Sequence, residues 1–151
     1  MRHHKFLVLI ILMMSLLSCA SFRNKEMDQF YKKYDDQSTS VRIPKLLLKM
    51  VSKEKELKPF LKYIKTTRTV VIENVGSQVI TDLNTALKKD GYEEYISINT
   101  SEEQFAIMAI ERKDKITHIV IKTIEDGEIS LIQSRVNIEL EDFSKMLKQL
   151  N

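Results

Sequence analysis

Residues 104–138, QFAIMAIERKDKITHIVIKTIEDGEISLIQSRVNI, decide the fold. Alternation over so long a run puts successive side chains on opposite faces of a sheet, whereas a helix needs apolar residues every three or four positions. In Gln104 to Glu111, Phe105, Ile107 and Ala109 take one face and Ala106, Met108 and Ile110 the other. Both faces are apolar, so the segment reads as a central strand. Arg112-Lys113-Asp114-Lys115 makes a charged turn, Ile116 to Ile124 alternates again, and Asp126-Gly127 is a pair favoured in two-residue hairpins. Ile129 to Ile138 is then the last strand.

Working outward, Glu94 to Asn99 alternates Ile96 and Ile98 with Tyr95 and Ser97, and completes a four-strand antiparallel meander. Upstream, Thr69 to Glu73 is β-branched and short, and Gly76-Ser77 ends it. Ser77 reads as the cap of a helix carrying Val79, Ile80, Leu83, Ala86 and Leu87, which Gly91 stops in the left-handed conformation. Downstream, Glu139, Glu141 and Asp142 open a terminal helix with Leu140, Phe143, Met146, Leu147 and Leu150 inward. Near the amino terminus, Met27, Phe30, Tyr31 and Tyr34 form one face of a helix over 24–37 capped by Asn24. That aromatic stripe is a candidate partner or ligand face; the plainer reading docks it on the core. After a polar break at Gln37 to Ser40, Pro44 opens a helix with Leu46, Leu47, Leu48, Met50 and Val51. Pro59 marks another from near Leu57, with Phe60, Leu61 and Ile64. The expected class is α+β: a two-layer sandwich whose five-stranded, mostly antiparallel sheet (β-α-β, then the meander) has the N-terminal helices and the C-terminal helix on one face.

The first residues carry a different message. Arg2, His3, His4 and Lys5 precede twelve residues, Phe6 to Leu17, that are apolar apart from Ser15. Twelve is too short for a bilayer, which needs about 20, and fits a signal peptide. Leu16-Leu17-Ser18-Cys19 reads as a lipobox, with cleavage between Ser18 and Cys19 and lipid on the Cys19 thiol. The rival is an ordinary secretory signal with an incidental cysteine, although Cys19 is the chain's only one. The expected organisation is a signal peptide over 1–18, a lipid-anchored tether over 19–24 and one α+β domain over 25–151. The mature chain of 133 residues is long enough for a core without disulfides.

Cleavage also changes the charge. The net +3 of the whole chain includes Arg2 and Lys5; what remains carries 22 basic and 21 acidic side chains, and nucleic-acid binding is not expected. Cys19 to Arg68 is net +7 and Thr69 to Asn151 net −6, so the basic half adjoins the anchor. Arg23, Lys25, Lys32 and Lys33 are candidates for contact with anionic head groups, worth about 1 kcal/mol each at a strongly negative surface; solvated helix faces explain the same charges.

Four motifs carry a family resemblance: Phe30-Tyr31-x-Lys33-Tyr34, Val41-x-Ile43-Pro44-Lys45-x-Leu47-Leu48, Gly91-Tyr92-Glu93-Glu94 and Leu140-x-Asp142-Phe143-Ser144-Lys145-Met146-Leu147. Together they resemble the small Bacteroidota-type lipoproteins grouped as a domain of unknown function. The resemblance implies an envelope location and a fold, with no activity attached. Where that family commonly carries a glycine after the last strand's apolar run, this chain has Ser134-Arg135.

No catalytic or metal motif is found. His118 is the one histidine after the leader, and the acidic pairs Asp35-Asp36, Glu93-Glu94, Glu102-Glu103 and Glu125-Asp126 sit at turns and element ends, where carboxylates are usually solvated. There is no phosphate loop, Gly-x-Ser-x-Gly elbow or His-Glu-x-x-His. The expectation is a non-enzymatic, lipid-anchored envelope protein without cofactors, held to the membrane through Cys19 and serving an envelope protein partner in sensing or assembly. The alternative is a small-ligand or lipid-binding module of the periplasm; an enzyme comes third, and would need His118 to sit in a cleft beside a carboxylate. Ala20 and Ser21 lack the aspartate of inner-membrane retention, which points to the periplasmic face of the outer membrane.

Overall fold

The computed structural model describes residues 24–44 and 61–149. Helix α1 (Lys25–Lys33) and a short 3-10 turn (Asp35–Gln37) lead into β1 (Ser38–Ile43). There follow β2 (Ile64–Ile72), α2 (Ser77–Lys89), β3 (Glu93–Asn99), β4 (Glu103–Arg112), β5 (Lys115–Glu125), β6 (Glu128–Glu139) and α3 (Leu140–Lys148). The fold is α+β with an antiparallel sheet in the order β1-β2-β6-β5-β4-β3. The predicted meander is present as β3 to β6. Its Asp126-Gly127 turn has both residues at positive φ, 49° and 75°, the mirror-image geometry that matches strand twist.

The sheet has six strands, one more than expected. The extra one, β1, occupies the stretch read as a polar break before Pro44; Ser38, Thr39 and Ser40 lie on an edge strand that leaves four of its six residues exposed, so it needs no apolar run. Strand β2 also begins earlier than expected, at Ile64, which the sequence reading placed on a helix. Of the helices expected from Pro44 and near Leu57, residues 45–60 lie outside the described residues, as does Leu150, while Leu61 is helical as expected. Strands β2 and β3 run in the same direction with three strands between them, so α2 carries the chain back across the sheet.

Helices cover both faces of the sheet, contrary to the one-face expectation. One core cluster joins Met27, Phe30, Tyr31 and Tyr34 of α1 and Val79, Leu83, Ala86 and Leu87 of α2 to Val70, Ile72, Ile110, Val120, Ile129 and Leu131. The other gathers Phe143, Leu140, Met146 and Leu147 of α3 with Ile107, Ala109, Ile116, Val136 and Ile138. Ile107 and Ile110 of β4 are an odd number of positions apart, so the clusters lie on opposite faces. This also explains why β4 is apolar on both sides. Leu83 and Leu87 are fully buried, each worth about 2 kcal/mol against exposure.

The helix ends differ from the local reading. Gly91 does stop α2, at φ 88°, with its N–H and that of Tyr92 bonded to the carbonyls of Lys88 and Leu87. At the start of α2, however, Gly76 is the cap and Ser77 the first helical residue. Asn24 makes no side-chain cap for α1. Asp90, beyond the far end of α2, supplies it: its carboxylate accepts from the N–H groups of Glu26 at 3.1 Å and Met27 at 2.9 Å.

Candidate functional site

Three neighbouring strands break register near one end of the sheet. Lys65 is an extra residue in β2 against β6, Thr117 in β5 against β4, and β6 spends one extra residue between Ile138 and Arg135. Such breaks redirect side chains and interrupt the ladder. Above them, past the amino-terminal end of α1, lies a cleft of about 670 Å³ lined by Arg42, Lys65, Thr66, Arg68, His118, Gln133, Arg135 and Asn137, with Asn24 and Asp28 on the helix side. Arg42 and Arg68 are direct cross-strand partners, and Arg68 faces Gln133 on β6. Two positions along, on the same face, Thr66 faces Arg135, which faces His118 on β5. A second, shallower cleft between α1 and β1 shares Asp28, Arg42 and Arg68 with the first.

The cleft is cationic. Like charges directly opposite on a sheet destabilise it, yet Arg42 and Arg68 are held in register. Asp28 is the one acidic residue among the lining residues, and it pairs with Arg68 at 3.5 Å. Arg68 also stacks on Tyr31, its guanidinium carbon 5.1 Å from the ring centre. Behind it runs a polar chain: Tyr31 OH donates to Gln133 Oε1 at 3.1 Å, Gln133 Nε2 to Tyr92 OH at 3.1 Å, and Tyr92 OH to Asn24 Oδ1 at 3.0 Å. Burial pushes both phenols above the ordinary tyrosine range, so they stay protonated and keep donating. The three bonds link α1, β6 and the residue before β3 into one network behind Arg68.

The residues singled out from sequence lie elsewhere or inside. Met27, Phe30, Tyr31 and Tyr34 are all buried, with Phe30 and Tyr34 rings 5.0 Å apart, so the stripe packs into the core and is not an exposed face. Tyr31 alone reaches the cleft system, through Arg68 and Gln133. Ser18 and Cys19 lie outside the described residues, as does Arg23. The four acidic pairs are exposed and none of them lines the larger cleft. His118 is buried in its floor, Nδ1 3.1 Å from Thr117 Oγ1. Sequence reasoning missed the convergence of Arg42, Lys65, Arg68 and Arg135. The missing information was strand β1, which brings Arg42 beside Arg68.

No helix among the described residues is long and apolar enough to cross a membrane. A family model described as a domain of unknown function, DUF4252, matches residues 31–146, from Tyr31 on α1 to Met146 on α3. The chain belongs to the DUF4252 family. No curated protein matches it. The DUF4252 match takes in all four cleft cations and His118, and starts after Asn24 and Asp28.

Proposed function

We propose that this DUF4252 protein is a lipid-anchored, non-enzymatic cell-envelope protein of the Bacteroidota lipoprotein kind, and that it binds a small anionic ligand in the arginine-lined cleft. The observation that carries the reading is the convergence of Arg42, Lys65, Arg68 and Arg135 on one cleft against the single carboxylate of Asp28. Cations held together at a cost to the sheet are compensated when an anion binds. The Leu16-Leu17-Ser18-Cys19 run supports the anchor, and Ala20-Ser21 the periplasmic face of the outer membrane. Binding is favoured over catalysis because most groups converging there are guanidinium, ammonium, amide and hydroxyl, while His118 is buried in the floor and the one lining carboxylate, Asp28, is paired with Arg68.

A second reading, docking of an envelope protein, draws on Val41, Ile98 and Ile132, which are 54%, 55% and 41% exposed on the sheet face opposite α1 and α2. The test of the first is calorimetric titration of the full-length protein with sodium phosphate and sodium sulfate at low ionic strength. Saturable binding is expected, weakened about tenfold or more by Arg42→Gln with Arg135→Gln, since hydrogen bonds to charged groups contribute about 1.5–3 kcal/mol. Absence of binding, or binding that the double substitution leaves unchanged, overturns the cleft as the site.

A further inference from the structure

We infer that the cleft is a phosphate site, and that the phosphate it takes belongs to an anionic phospholipid headgroup in the leaflet that holds the protein's own anchor; this rests on the anion-binding reading above. The first half follows from the number and arrangement of donors. A carboxylate has two oxygens and is satisfied by one guanidinium fork. Here Arg42, Arg68 and Arg135 come from three adjacent strands, two of them directly opposite and the third two positions along on the same face, with Lys65 beside them. Asp28 occupies one arm of Arg68 at 3.5 Å, the long end of an ion pair and at an exposed carboxylate. Guanidinium groups approaching from separate strands match a tetrahedral anion whose oxygens diverge, and Thr66, Gln133 and Asn137 add neutral polar partners at the same wall.

The second half follows from chain length. Asn24 lines the cleft, and Cys19 is five residues before it. Five residues span at most roughly 18 Å even fully extended. An acylated Cys19 therefore keeps the cleft rim within that distance of the headgroup layer, where anionic phosphates are concentrated far above any dilute soluble phosphate. Engagement of a headgroup would add an electrostatic contact with the same surface to the hold of the acyl chains on Cys19.

The test uses the intact lipidated protein, purified in neutral detergent micelles, and reads its melting temperature. Four probes are added separately at low salt: phosphatidylglycerol doped into the micelles, phosphatidylcholine doped to the same level, inorganic phosphate, and acetate. Phosphatidylglycerol is expected to raise the melting temperature at concentrations about tenfold or more below those at which inorganic phosphate does, with phosphatidylcholine and acetate weaker still. Arg42→Gln with Arg135→Gln should abolish the response while leaving the unliganded melting temperature at or above that of wild type, since the Arg42–Arg68 repulsion is relieved; Lys88→Gln with Lys89→Gln, an equal charge loss on the exposed side of α2, should leave the response intact. Inorganic phosphate matching phosphatidylglycerol overturns the lipid source and spares the phosphate site. Acetate matching phosphate overturns phosphate selection and spares the anion-binding reading. No response to any anion overturns both.

Discussion

Asp82 holds three side-chain donors at once: Lys33 Nζ, Tyr34 OH at 2.6 Å and Gln78 Nε2 at 2.8 Å. Lys33 and Tyr34 belong to α1 or its end, so this carboxylate on α2 fastens the two helices across sequence separations of 49 and 48 residues that no local pattern reports. The hydrogen bond from Lys33 contributes most, then those from Tyr34 and Gln78, and together they pull the Asp82 carboxyl down to about 2. An unfolded aspartate titrates at about 3.9. A pKa depressed by folding adds stability that is present above the unfolded value and is lost as pH falls through the folded one. Thermal melts from pH 6 to pH 2 should therefore show wild type losing stability between about 4 and 2, with Asp82→Asn less stable at pH 6 and flatter over that window. Curves that stay parallel would show that Asp82 contributes no linkage.

At the scale of elements, the two tight turns of the meander solve one geometrical problem with different residues. Asp126-Gly127 uses a glycine for the second positive φ. Between β4 and β5, Lys113 at φ 50° and Asp114 at φ 60° take the same left-handed conformation without one. For an L-residue that conformation costs about 1 kcal/mol, less for aspartate. Asp114→Gly should raise stability by about 0.5 kcal/mol in urea unfolding, strain relief exceeding the added chain entropy; a loss of stability would mean the aspartate side chain supports the turn. The meander was legible because alternation and turn chemistry act over a few residues. Strand β1 was not, since an exposed edge strand such as Ser38–Ile43 is under little pressure to be apolar, and its partner is 20 or more residues away.

The whole molecule decides where the ends of the elements meet. Asp90 closes α2 and caps α1, so one side chain positions both α1 and the Asn24 that lines the cleft. Asp90→Ala should cost about 1–2 kcal/mol in denaturant unfolding, as the loss of a helix cap does, and should weaken anion binding through displacement of Asn24 and Asp28. Unchanged stability would mean that water replaces the cap. The candidate site is equally a product of tertiary structure. Each of its cations is unremarked in sequence, one among 24 lysines and arginines, and only the sheet order sets Arg42 beside Arg68 and Arg135 beside His118.

The sequence by itself determined what is written in short-range periodicity: the antiparallel meander, the amphipathic helices that bury Met27, Leu83 and Phe143, and the stop at Gly91. The placement of α3 on the face opposite α1 and α2, the sixth strand, the cap from Asp90 and the cationic cleft came only from tertiary structure. The reason is physical. A side chain's choice of face is a local consequence of backbone period, whereas strand order and register depend on which distant surfaces bury each other best, and the charges of the cleft are brought together only after that choice is made.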